Sequence, residues 1–180
     1  ALVGGGRKAA PGEISLAHNG VLSLDELPEF SRTALEGLRQ PLENGYITIS
    51  RVNAHTVYPA KFQLIAAMNP CRCGNLGNPA LECSRAPKCA EEYQSRLSGP
   101  LLDRIDIHIE VPAVSPWEMA AVKTGESSAA IRERVIRARE IQKQRFIELD
   151  EPQLSTNAQL RGRLLEKVTR LDKDAEELLI

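Results

Sequence analysis

The sequence predicts an α/β protein, a parallel sheet flanked by helices and followed by a segment that is helical throughout. Three stretches carry that expectation. Val21-Leu22-Ser23-Leu24 is an apolar run opened by the Asn19-Gly20 turn, with the composition of a strand buried on both faces, and it ends in the adjacent acids Asp25 and Glu26. Phe62-Gln63-Leu64-Ile65-Ala66-Ala67-Met68 repeats that pattern and ends in Asn69. From Ile131 onward, apolar residues recur at helical intervals instead.

A chain of 180 residues can bury one substantial core and carry a small helical appendage. Its 42% hydrophobic and 26% charged content is ordinary for a soluble globular protein. No run approaches the roughly 18 apolar residues of a membrane span, and nothing reads as a secretory leader, so the expectation is a cytoplasmic protein without a membrane partner. A net charge of -1 gives no global attraction to nucleic acid, which leaves local basic patches as the only route to it.

Taken in order, residues 1–19 read as a loop with a short strand at Glu13-Ile14-Ser15-Leu16, interrupted by Pro11-Gly12. His18 stands alone beside a turn and is given no role. Ala1-Leu2-Val3-Gly4 starts no element, and Gly4-Gly5-Gly6-Arg7-Lys8 lacks the spacing and hydroxyl of the Gly-x-x-x-x-Gly-Lys-Ser/Thr phosphate loop. The chain is therefore read as a segment of a longer protein.

The acid pair follows. At the carboxyl end of a parallel strand, where open sheets bind ligands, two carboxylates are placed to hold a cation and activate a water. The alternative is an acidic turn reaching solvent. Ser31 is placed to cap a helix bearing Leu35, Leu38 and Leu42, with a kink or early end at Pro41 and a stop at Gly45. Tyr46–Ser50 and Ala54–Tyr58 flank Arg51-Val52-Asn53 as a β-hairpin, whose basic tip residue Arg51 is a candidate DNA contact. Asn69 follows the second buried run and precedes Pro70, which holds the chain extended. It reads either as a water-orienting amide or as a turn residue satisfying its own backbone.

Cys71, Cys73, Cys83 and Cys89, the chain's four cysteines, then fall within nineteen positions of a Gly-, Pro- and Asn-containing insertion at 70–90. Four thiolates can hold Zn2+ tetrahedrally and order such a loop, although C-x-C is tighter than the usual knuckle spacing. Free thiols and oxidised pairs are the other readings. From Ala90 to Ser98 the composition suits a short helix ending at Gly99-Pro100. Asp103 and Arg104 emerge after Leu101-Leu102, and Ile105-Asp106-Ile107-His108-Ile109 reads as a further strand.

Pro112 to Trp117 is the expected linker between a core over 1–114 and a helical domain over 115–180. In the latter, Ile131, Val135, Ala138 and Ile141 alternate with Arg132, Arg134, Arg137, Arg139 and Lys143 in an amphipathic helix with a solvated basic face. Asn157 is placed to cap a helix through Leu160, Leu164, Leu165 and Val168, and another starts near Asp172.

This ordered set of segments resembles the magnesium chelatase-like branch of the AAA+ ATPases, strongly from about Gly4 to Val114 and weakly beyond. The resemblance implies a partial P-loop NTPase core, cut downstream of its phosphate cradle and expected to be inactive alone, followed by part of an α-helical lid. It implies that Asp25 and Glu26 are the Walker B acids, with Asp25 holding Mg2+ through water and Glu26 polarising the attacking water, and that Asn69 is the sensor that orients it. Arg104 becomes the arginine finger reaching the ATP of a neighbouring subunit, with Arg96 in reserve. The parent protein would then hydrolyse ATP in a ring oligomer, a hexamer, that drives branch migration of DNA during transformation. Two other classes stay open: a chelatase-type motor remodelling a protein partner, and a non-catalytic zinc-stapled interaction domain.

Overall fold

The computed structural model describes residues 2–6, 9–51, 54–77, 81, 83–112, 114, 116–120, 125–169 and 171–178. The chain divides into two compact units, Ala1–Ala113 and Val114–Ile180.

In the first unit a small antiparallel ladder, β1 (Gly4–Gly5) with β2 (Ala10–Pro11), leads into α1 (Glu13–Leu16). The expected strand at Glu13–Leu16 is thus a helical turn. Gly12 enters it extended, and the Leu16 and Ala17 amides bond the Gly12 and Glu13 carbonyls at 3.1 and 2.9 Å, so only Ile14 is turned fully inward. The Asn19-Gly20 turn then delivers β3 (Val21–Leu24). His18 fastens this turn across the unit: its Nδ1 accepts from the Lys61 amide at 3.1 Å, while the Asn19 amide donates to the Lys61 carbonyl at 2.6 Å.

β3 runs parallel to β6 (Gln63–Ala66), with Leu22 opposite Leu64 and Leu24 opposite Ala66. Leu22 and Leu24 are buried, whereas Val21 is 56% and Ile65 51% exposed. The two runs therefore do not form strands buried on both faces. Because side chains alternate along a strand, only the Leu22 and Leu24 face of the pair meets the core. That core gathers Ile14, Leu22, Leu24, Leu27, Leu35, Leu38, Ile47, Leu97 and Leu101, each large side chain worth roughly 1.5–3 kcal/mol when fully buried.

After β3, the helix expected from Ser31 is broken in two, α2 (Arg32–Glu36) and α3 (Arg39–Asn44). Ser31 caps α2, its Oγ accepting from the Ala34 amide at 3.3 Å. Pro41 sits in the first turn of α3, where its missing N–H costs nothing. Gly45 ends α3 at φ 75°, and the left-handed conformation frees its carbonyl to accept from the Ala60 amide at 2.8 Å. The hairpin forms as read from its alternation, β4 (Tyr46–Arg51) against β5 (Ala54–Pro59), with Ile47 opposite Tyr58. Its tip, Val52 and Asn53, and the Arg51 side chain lie outside the described residues.

The last cysteine, Cys89, lies in α4 (Lys88–Gln94), which is followed by a separate α5 (Gly99–Leu102). Gly99-Pro100 thus opens a helix, as a proline near the first position favours, where a helix end was expected. Ile105–Ile109 forms no strand: it has no ladder partner among the described residues, and Ile107 and Ile109 are 74% and 78% exposed. Alternating apolar residues make a strand only where a neighbour pairs with them.

In the second unit α6 (Pro116–Ala120) starts inside the expected linker. α7 (Ser128–Glu148) is capped by Ser127, whose Oγ accepts from the Ala130 amide at 3.3 Å. Its arginines are solvated, with Arg134 paired to Glu126 and Arg137 to Glu133, and Phe146 is its buried residue. Asn157 does not cap a long helix; Thr156 and Gln159 form a capping box around a single 3-10 turn, and α8 (Gly162–Val168) starts after it. Asp172 Oδ1 accepts from the Ala175 amide at 2.9 Å at the start of α9 (Lys173–Leu178). No helix among the described residues is long and apolar enough to cross a membrane.

Candidate functional site

The parallel register sets the site. The Ala67 amide donates to the Leu24 carbonyl at 2.9 Å and the Leu27 amide to the Ala67 carbonyl at 3.0 Å, so the two strand ends remain interlocked past the last ladder pair. Leu27 is buried, and Asp25 and Glu26, caught between two inward leucines, are left at the carboxyl edge in solvent. Glu26 pays for this placement with a left-handed backbone, φ 50° and ψ 48°, and its amide donates to Asp25 Oδ1 at 2.8 Å. A non-glycine residue at positive φ costs roughly 1–3 kcal/mol and persists only where its surroundings over-determine it.

Asn69 follows β6, exposed and beyond its last ladder pair. Tyr93 of α4 is buried. Burial raises the Tyr93 phenol and the Glu29 and Glu26 carboxylates push the same way, against the Asn69 backbone N–H, which favours the phenolate. Next along α4, Gln94 Nε2 donates to the Pro70 carbonyl at 2.9 Å. Arg96 holds the other strand's exit, donating to the Pro28 carbonyl at 3.0 Å and pairing with Glu29 at 2.9 Å. Arg96 also lines a cleft of about 460 Å³ with Glu29, Ser31, Arg32, Ser95 and Ser98. Neither Tyr93 nor Gln94 was legible as a site residue, because nothing in the local pattern of α4 marks them.

Arg104 is held by α3 and α5, with its side chain 27% exposed. Its guanidinium pairs with Glu43 at 2.9 Å and donates to the Pro100 carbonyl at 2.6 Å, and its Nε is buried without a partner among the described residues.

The thiols converge. The sulfurs of Cys71, Cys73, Cys83 and Cys89 all lie within 4.8 Å of one another, with no disulfide among them. Tetrahedral Zn–S bonds of about 2.3 Å would set the sulfurs roughly 3.8 Å apart, so the group fits the ion with small adjustments. Cys71, Cys83 and Cys89 are buried and Cys73 faces solvent, 3.3 Å from Cys71. Burial alone would raise the Cys71 thiol, but hydrogen bonds from the Cys73 thiol and from the backbone at Leu76, Cys73 and Asn75 bring it down to about 7. At Cys73 the Asn75 backbone pulls downward and is outweighed by Cys71, Cys83 and burial, which raise it to about 11.

Fold and site together have the form of part of a P-loop NTPase-like α/β domain carrying a four-thiol module. Residues 1–119 match the model of the family described as magnesium chelatase, subunit ChlI, and residues 125–180 match that of its C-terminal region. The chain belongs to this family. It is 49% identical over 177 residues to the competence protein ComM of Haemophilus influenzae and 48% identical over 175 residues to YifB of Salmonella typhimurium. Each alignment covers 97% of this chain and 33% of the relative. YifB of Escherichia coli is 52% identical over 143 residues, 79% of this chain and 28% of its own length. The chain thus spans about a third of the length of these relatives.

Proposed function

We propose that the chain is the Walker B and sensor portion of a AAA+ ATPase that hydrolyses ATP with Mg2+ in a ring oligomer and acts on DNA. The observation that carries this reading is the interlocked parallel edge, which presents Asp25 and Glu26 beside the strand leading to Asn69. Asp25 holds Mg2+ through water, Glu26 accepts a proton from the attacking water, and Asn69 orients that water. Phosphoryl transfer depends chiefly on positioning and electrostatics, so rigid strand ends suit it.

Arg104 serves as the finger for the neighbouring subunit's ATP, and must leave Glu43 and the Pro100 carbonyl to reach it. The second unit is part of the helical lid. DNA as the substrate is supported by the name of the competence relative, and Arg51 beside the hairpin tip is the phosphate contact. Zn2+ occupies the four thiols as a structural ion.

Glu26→Gln in the longer protein tests the reading: nucleotide binding should persist and turnover cease, since the amide keeps the shape without accepting a proton. Unchanged turnover removes Glu26 from the mechanism. In the same protein, Arg51→Ala should weaken DNA stimulation of the ATPase evenly across sequences, as loss of a phosphate contact does. ATPase unaffected by branched DNA but stimulated by a protein partner would favour the chelatase-type alternative.

A further inference from the structure

We propose that α4 is a lever coupling metal occupancy of the four-thiol module to the placement of Asn69, with Gln94 and Tyr93 as its positioning residues. This rests on reading the thiols as a metal site and Asn69 as part of the nucleotide edge.

The chain leaves the sheet at Ala67, so ladder bonds no longer hold the exposed backbone of Asn69 and Pro70, and Pro70 has no amide to offer. The partners come from one helix. Gln94 Nε2 donates to the Pro70 carbonyl at 2.9 Å, and the Tyr93 oxygen meets the Asn69 backbone.

The same short stretch is tied to the module at both ends. Cys71 follows Pro70 directly, and Cys89 lies in the first turn of α4. A metal bridging the two sulfurs closes a ring: Pro70 to Cys71, through the ion to Cys89, along α4 to Gln94, and back to the Pro70 carbonyl. Without the ion, among the described residues, the Gln94 and Tyr93 contacts and a small apolar cluster hold that ring. The cluster comprises the three buried cysteines and Ala90, with Leu76 beside them. So little apolar surface cannot fix a helix by itself, and metal binding becomes the folding energy of the module. The acid side is reached as well: Arg72, between the first two cysteines, and Arg96, after α4, both converge on Glu29, at 4.0 and 2.9 Å. These exposed pairs contribute little energy, so the mechanical link is the Gln94 and Tyr93 grip.

The test uses the isotope-labelled chain, stripped of metal and reloaded with Zn2+, with Co2+ thiolate absorption in a parallel sample reporting occupancy. Metal loading should slow exchange of the Asn69 amide by about threefold or more, the factor of one net hydrogen bond, and shift its side-chain amide resonances. Gln94→Glu keeps the shape but cannot donate to the Pro70 carbonyl. It should take up metal normally and lose most of the Asn69 response. Tyr93→Phe keeps the ring, removes the hydroxyl and should lose part of it. Metal uptake with unchanged Asn69 signals overturns the lever and leaves the metal site standing. A wild-type Asn69 response in metal-loaded Gln94→Glu overturns the role of Gln94. No Co2+ uptake by the parent chain overturns the metal site and the lever together.

Discussion

The Leu27 amide donates to the Ala67 carbonyl at 3.0 Å, one position beyond the register in which Leu24 faces Ala66. That single bond carries the parallel pairing across the acid pair. Glu26 is therefore fixed in its left-handed conformation by a buried leucine on either side, and not by its own preferences.

Glu26→Gly should relieve the backbone strain while adding freedom to the unfolded chain, two effects of about 1 kcal/mol that nearly cancel. Glu26→Val, β-branched at positive φ, should cost roughly 1–2 kcal/mol more. Urea denaturation of the two variants checks this; equal stabilities would mean that the positive φ is not maintained in solution.

Gly12 meets the β1 backbone so closely that a Cβ there would lie 2.2 Å from the Gly4 nitrogen and 2.4 Å from the Leu2 carbonyl oxygen. Main chain cannot yield as a side-chain tip can. Gly12→Ala should destabilise the first unit by about 2 kcal/mol or more, read as a lowered denaturation midpoint.

One Zn2+ per chain is expected at the four thiols. Free zinc at a hundred times Kd should stabilise the chain by about 2.7 kcal/mol, and chelation should remove that increment. Cys89→Ser should abolish it. Metal-free protein with four freely titrating thiols, purified without chelator, would contradict the site.

The Glu36 carboxyl is held below its ordinary 4.5, first of all by its hydrogen bond to Arg39 at 2.9 Å. A lowered folded value stabilises the protein above pH 4.5, and the gain disappears as pH falls through the folded value. The pair is partly exposed and screened by solvent, so the effect is small. Glu36→Gln should melt slightly lower than the parent at pH 7, with the gap closing as pH falls below 4.5 and through the folded value. A gap that persists in acid would assign it to packing.

Arg104→Ala in the longer protein should lose hydrolysis by roughly a thousandfold while each subunit still binds ATP. Mixed with Glu26→Gln subunits it should regain activity, since some interfaces then pair an intact Glu26 with an intact Arg104. Inactive mixed rings, with activity retained when wild-type subunits are diluted into either variant, would refute action in trans.

What the sequence determined by itself was whatever is encoded within a few residues. The Ser31 cap, the Gly45 stop, the hairpin, the two apolar strands and the acids ending the first of them follow from side-chain period, turn chemistry and capping. The grouping of the four thiols was legible because all of them fall within one short insertion. The tertiary structure decided what depends on distant partners. It turned Glu13–Leu16 into a helix around Ile14, gave β3 one buried face, and left Ile105–Ile109 without a strand partner among the described residues. Gln94 meets Pro70 across 24 positions and Arg104 meets Glu43 across 61. No local pattern encodes such pairs, because they exist only once the core has set the helices against the sheet edge.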